Sequence, residues 1–85
     1  MAWTVAVARS AQKQLAKFPA SDQRKIAEAL LSLEADPDSG DTLKLEGSTN
    51  RFRRRVGSYQ VFFAINAAAK LVAVSAIVWR TSTTY

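Results

Sequence analysis

The 85-residue chain changes its hydrophobic period once, at Asp36-Pro37-Asp38-Ser39-Gly40-Asp41. Before that segment, apolar residues recur every three or four positions. After it they alternate or run together. A helical period laid down as a strand, or the reverse, sends side chains to the wrong faces. The chain is therefore constrained to a mainly helical first half and a β second half, joined by a turn rich in Asp, Pro and Gly.

Within this frame, Thr4–Ala8 reads as a first strand, with Trp3, Val5 and Val7 alternating with Thr4 and Ala6. Ser10 is the expected cap of a short helix running to about Phe18, with Ala11, Leu15 and Phe18 inward and Gln12, Lys13, Gln14 and Lys17 outward. Pro19 ends it. Ser21 is the expected cap of a second helix, with Asp22 in its first turn and Ile26, Leu30 and Leu33 as its stripe. That helix stops near Ala35, ahead of Pro37, so the two form an αα-hairpin. Leu43–Leu45 is a short, weak strand. Arg51–Val56 and Tyr59–Ile65 read as a hairpin about Gly57-Ser58. Asn66–Lys70 is a loop. Leu71–Trp79 is the last strand, and its nearly continuous apolar character predicts a central position, buried for most of its length. The chain shows no internal repeat and no linker long enough to divide it, so residues 1–85 are expected to form one domain.

Charge is distributed as unevenly as hydrophobicity. Residues 1–47 hold six Lys/Arg and seven Asp/Glu, a net −1; residues 48–85 hold six Lys/Arg and no acid, a net +6. One-sided positive charge attracts phosphate backbones by Coulomb force and counterion release. There is no cysteine, which excludes disulfide staples, thiolate metal sites and a cysteine nucleophile, and suits a reducing cytoplasm. No signal peptide or membrane span is expected.

The positive charge is densest at Arg51, Arg53, Arg54 and Arg55. On a strand, Arg51, Arg53 and Arg55 share one face, and Phe52, Arg54 and Val56 share the other. Arg53 and Arg55 lie about 7 Å apart, similar to consecutive phosphates along a nucleic-acid strand. Guanidinium groups suit bidentate phosphate contacts. Arg54 falls on the face of the core residues and must either snorkel at the sheet edge or pair with a carboxylate from Glu34–Glu46. Phe62 is compatible with either face.

Taken in order, these segments resemble the RelE/ParE superfamily of bacterial toxins. The resemblance covers almost the whole chain. It rests on Trp3-Thr-Val-Ala-Val, on Ala11…Leu15-Ala-Lys17-Phe18-Pro19 and on Leu43-Lys44-Leu45-Glu46-Gly47. It rests further on Phe52-Arg53-Arg54-Arg55-Val56-Gly57-Ser58-Tyr59-Gln60-Val61-Phe62-Phe63, and on Ile77-Val78-Trp79-Arg80…Tyr85. The implied fold is α+β: an αα-hairpin on one face of a small, mainly antiparallel four-stranded sheet, in the order β-α-α-β-β-β. Two departures stand out. Gln60 occupies a position where the family has Arg, and Trp79 one where His, Lys or Arg is common.

The resemblance implies one of two activities. RelE-type members cut mRNA in the ribosomal A site, and ParE-type members inhibit DNA gyrase without nuclease chemistry. The first is the expected activity: attack of the mRNA 2′-hydroxyl on its own phosphate, which needs a base, positive charge for the phosphorane and an acid. Carried over by position, Arg53 and Arg55 bind phosphate and stabilise transition-state charge, Arg80 assists, and Tyr85 acts as acid, base or stacking ring. A tyrosine phenol titrates near about 10, so Tyr85 would need cationic neighbours to act as a base near neutral pH. Arg51, Arg54, Lys44 and Gln60 are expected RNA contacts. No obvious carboxylate cluster suggests a metal nuclease, and no cofactor or metal is expected. The expected partners are the ribosome with its mRNA and an antitoxin bearing an acidic segment, with gyrase as the alternative target and no membrane.

Overall fold

Alternation in the β half and the 3.6-residue period in the helical half give the chain one apolar set from each, and the fold brings the two sets together. The computed structural model describes residues 3–38, 40, 42–47 and 50–79. The elements are β1 (Thr4–Val7), α1 (Arg9–Ala16), α2 (Ala20–Ala35), β2 (Thr42–Lys44), β3 (Arg51–Val56), β4 (Tyr59–Asn66) and β5 (Leu71–Trp79). Ala11, Ile26 and Leu33 from the helices meet Tyr59, Val61, Phe63, Val72, Val74 and Ile77 from the sheet in one buried cluster. Removing each large aliphatic side chain of that set from water contributes about 1.5–3 kcal/mol.

The sheet has five strands, not four, in the order β1-β5-β4-β3-β2. The weak strand expected at Leu43–Leu45 forms at Thr42–Lys44 and lies antiparallel against β3, with Leu43 opposite Arg53. Three residues suffice because β3 offers a free edge whose backbone groups need partners. β3, β4 and β5 are joined by antiparallel pairing, whereas β1 pairs parallel with β5. The parallel pair is possible because the helical segment and the following strands separate β1 from β5 in sequence, which allows a crossover.

Both expected serine caps are wrong. α1 begins at Arg9 after Ala8 and α2 at Ala20 after Pro19, and neither cap residue makes a side-chain capping bond. The entry to α1 is governed by the sheet. The Ala8 N–H donates to the Val74 carbonyl at 2.9 Å, and Gln12 Nε2 donates back to the Val7 carbonyl at 2.8 Å. At α2, the Pro19 carbonyl accepts from the Asp22 and Gln23 N–H groups, and Gln23 Nε2 donates to the Phe18 carbonyl at 2.8 Å.

Gln14 does not face outward as expected. Its Oε1 accepts the Ile77 N–H at 3.0 Å. β1 pairs with β5 only as far as Val74, so the side chain stands in for a strand partner beyond that point. β5 is interior, as its composition indicates, but it is not buried for most of its length. Val72, Val74 and Ile77 are buried, while Ala73 and Ser75 are exposed. The alternate residues of β5 therefore lie on an open face of the sheet.

Candidate nucleic-acid interface

The hairpin turn sets the register of the basic strand. Gly57, with φ +58°, takes the left-handed position at the start of a two-residue turn, where a Cβ would be strained. Val56 then pairs with Tyr59, Arg55 with Gln60, Arg53 with Phe62 and Arg51 with Ala64. Directly paired residues point to the same side of a sheet. One face of the β3–β4 hairpin thus carries Arg51, Arg53 and Arg55 against Ala64, Phe62 and Gln60. The other carries Phe52, Arg54 and Val56 against Phe63, Val61 and Tyr59.

The arginine row lies on the open face. Arg51 and Arg55 are exposed and Arg53 is half-buried. Arg53 Nη1 donates to Gln60 Oε1 at 3.4 Å. Gln60 is only 6% exposed, the one buried polar side chain among the described residues. It lies directly opposite Arg55 and one position diagonal from Arg53, so a neutral acceptor, and not a further cation, borders both arginines.

Arg54 points the other way. It is half-buried, and its Nη1 donates to Ser32 Oγ on α2 at 2.8 Å. Its guanidinium lies under Gly40, where an added Cβ would come within 2.5 Å of Cζ. Gly40 has φ +67°, so the turn uses glycine both for its backbone conformation and for clearance over the arginine. Lys44 is exposed and stands opposite Phe52, on the face away from the arginine row. Arg80 and Tyr85 lie outside the described residues. The structure therefore brings together Arg51, Arg53, Arg55 and Gln60, and places Arg54 and Lys44 across the sheet from them.

Two further residues stand out. Phe62 is on the open face, half-buried, between Arg53 and Ala76 in register. The hairpin turn was the available signal for that placement, since a two-residue loop at Gly57-Ser58 determines each pair back to Arg51. Tyr59 donates from its hydroxyl to Asp22 Oδ2 on α2 at 2.7 Å, and its ring lies 4.4 Å from that of Phe18. The hydrogen bond to Asp22, burial and the nearby negative charge together raise the Tyr59 pKa above its ordinary value. No local sequence signal joins residues 22 and 59.

No family model matches the sequence, and no curated protein matches it significantly. Solved structures do. The archaeal RelE–RelB complex from Pyrococcus horikoshii OT3 contains a chain 26% identical, with a TM-score of 0.85, covering 98% of this chain and 100% of that one. The isolated Escherichia coli RelE toxin is 14% identical, with a TM-score of 0.84, covering 98% of this chain and 89% of that one. The YoeB/ParE toxin from Agrobacterium tumefaciens is 13% identical, with a TM-score of 0.77, covering 92% of this chain and 99% of that one. The two-helix, five-strand α+β architecture is thus that of small bacterial and archaeal toxins. More specifically, this chain has the RelE/ParE-like toxin fold.

Proposed function

We propose that this protein is the toxin of a toxin–antitoxin pair and that it cuts mRNA on the ribosome. The observation that supports this best is the open-face array of Arg53, Gln60 and Arg55 in a RelE/ParE-like fold. The mRNA 2′-hydroxyl attacks the adjacent phosphorus, the bond from phosphorus to the 5′-oxygen breaks, and the products are a 2′,3′-cyclic phosphate and a 5′-hydroxyl. Arg53 and Arg55 grip the phosphate and stabilise the charge that develops on its non-bridging oxygens. Arg51 extends the same row along the strand. Arg80 and Tyr85 enter this reading by sequence position alone, Arg80 as a further cation and Tyr85 as the proton-transfer group or a base-stacking ring.

The test is primer extension on a defined mRNA with and without programmed ribosomes. Cuts within the A-site codon, present only with ribosomes and reduced about 10²–10³-fold by Arg53→Ala, are the expected result. Cleavage that survives Arg53→Ala and Arg55→Ala together would refute the assignment of these residues.

A second reading, a gyrase inhibitor of the ParE type, is favoured by one observation: a neutral Gln60 stands at the centre of the array. Inhibition of gyrase supercoiling without mRNA cleavage would establish it. On either reading, an antitoxin with an acidic segment laid along the arginine row would neutralise the toxin. Charge reversal at Arg53 and Arg55 should then weaken that complex.

A further inference from the structure

The open face carries a hollow beyond the Arg53–Arg55 pair. It measures about 340 Å³ and is lined chiefly by Leu45, Arg51, Phe62, Ala64, Ala73 and Ala76, with Ser75 beside them. Its depth comes from alanine. Ala64 pairs with Ala73, and Phe62 with Ala76, so three small side chains lie where a sheet face would normally carry larger ones. The strand pairing slips by one residue between Phe62 and Phe63, leaving Ser75 as the extra residue. Ser75 Oγ donates to the Phe62 carbonyl at 3.3 Å and remains exposed.

The position of the hollow narrows what it can hold. Arg51 is at its edge, and Arg53 follows two residues along the same face, about 7 Å away. An apolar recess beside evenly spaced cations matches a nucleotide: a flat ring with apolar faces and polar edges, attached to a charged backbone. The volume falls at the low end of small-molecule sites, roughly 300–1,000 Å³. Phe62 supplies an aromatic wall for stacking. Ser75 Oγ and the Arg51 guanidinium supply polar groups for a base edge.

We infer that the hollow receives a single unstacked nucleobase of the RNA strand whose phosphates lie along Arg53 and Arg55. The inference rests on the RNA-binding reading given above. Phe62 is then a specificity-determining residue, and the three alanines provide the space the base fills. The charge beside the hollow favours a nucleotide over an apolar side chain of a protein partner.

The experiment uses a fluorescein-labelled RNA trinucleotide and a ribose-phosphate trimer of equal charge with its bases removed, titrated with the full chain at low salt. Wild-type protein should bind the base-bearing trimer about tenfold to a hundredfold more tightly, the range for one stacked base. Ala76→Leu and Ala64→Leu, which fill the hollow, should abolish that difference and leave binding of the abasic trimer unchanged. Phe62→Leu should reduce it while keeping apolar volume. Circular dichroism melts establish that each variant is folded, and Phe62→Leu carries the test if a filled variant is not.

Equal binding of the two trimers by wild type, or binding of neither, would overturn the inference. So would a preference that survives all three substitutions, which would place the base contact outside the hollow. Arg53→Ala/Arg55→Ala separates the two readings. It should weaken both trimers equally. If it weakens neither while the base preference persists, the phosphate row is wrong and the hollow stands.

Discussion

The two roles assigned to neighbouring arginines can be separated by stability. Arg54→Met keeps most of the apolar stem and removes the guanidinium that bonds Ser32. A hydrogen bond from a charged donor contributes about 1.5–3 kcal/mol, and part of that is offset by the cost of holding a charge out of water. Ser32 Oγ still donates to the Ala29 carbonyl at 2.7 Å, so the hydroxyl keeps a partner. The expected net loss is about 1–2 kcal/mol, which in a domain of this size lowers the melting temperature by roughly 5–15 °C. Arg55→Met, on the exposed side, should cost less than Arg54→Met, because water screens the contacts of an exposed cation.

Gly40→Ala sharpens the test. Its Cβ would lie 2.5 Å from Arg54 Cζ, so the guanidinium must swing away and lose Ser32. That part of the cost is shared with Arg54→Met. The left-handed backbone adds a separate cost of about 1–2 kcal/mol for a residue with a Cβ. In the Arg54→Met background, Gly40→Ala should therefore cost less than in wild type, with a coupling of about 1 kcal/mol. Urea melts of the four proteins measure it. Strict additivity, or an Arg54→Met melt indistinguishable from Arg55→Met, would refute the structural role of Arg54.

Three further outcomes follow from single sites. The Tyr59 pKa is raised in the folded state, so its stabilising contribution is fully present below the unfolded value near about 10 and is lost as pH rises through the folded value. Tyr59→Phe should lower stability at pH 8 and flatten the decline above pH 10 in urea melts; parallel curves would refute the Asp22 bond. Gln60→Arg would place a further cation opposite Arg55 and diagonal to Arg53. It should destabilise by about 2–4 kcal/mol, a loss that shrinks with added salt; a salt-independent loss would point to sterics instead. Lys70 combines φ +55° with an Nζ 5.3 Å from the centre of the Trp3 ring. Lys70→Ala loses the cation–π contact and keeps the backbone strain, whereas Lys70→Gly loses both, so the glycine variant should be the more stable by about 1 kcal/mol.

Much of the site could be read before any tertiary information. The Arg51–Val56 strand, the turn at Gly57-Ser58 and the shared face of Arg51, Arg53 and Arg55 follow from a period of two and a two-residue loop, both local properties. The same turn also sets Phe62 opposite Arg53 and Gln60 opposite Arg55, although residue type alone left Phe62 compatible with either face. What local rules misjudged were the helix starts. Ser10 and Ser21 have the right chemistry for caps, but the sheet bond from Ala8 to Val74 and the fixed φ of Pro19 begin each helix two residues earlier. The continuous apolar run of Leu71–Trp79 predicts burial on both sides. It cannot show that Ala73 and Ser75 lie on an open face, because alanine suits either environment.

The sequence by itself determined the division into helical and β halves, the concentration of charge after residue 48 and the face on which each arginine of β3 lies. These depend on spacing along a few residues. Tertiary structure alone decided that β5 lies between β1 and β4, that Arg54 reaches Ser32, that Tyr59 finds Asp22, and that alanines from β4 and β5 meet to form a hollow beside Phe62. Each of these joins residues on different elements. Such pairings are selected by the burial of one common core, and not by any local preference of the residues that take part.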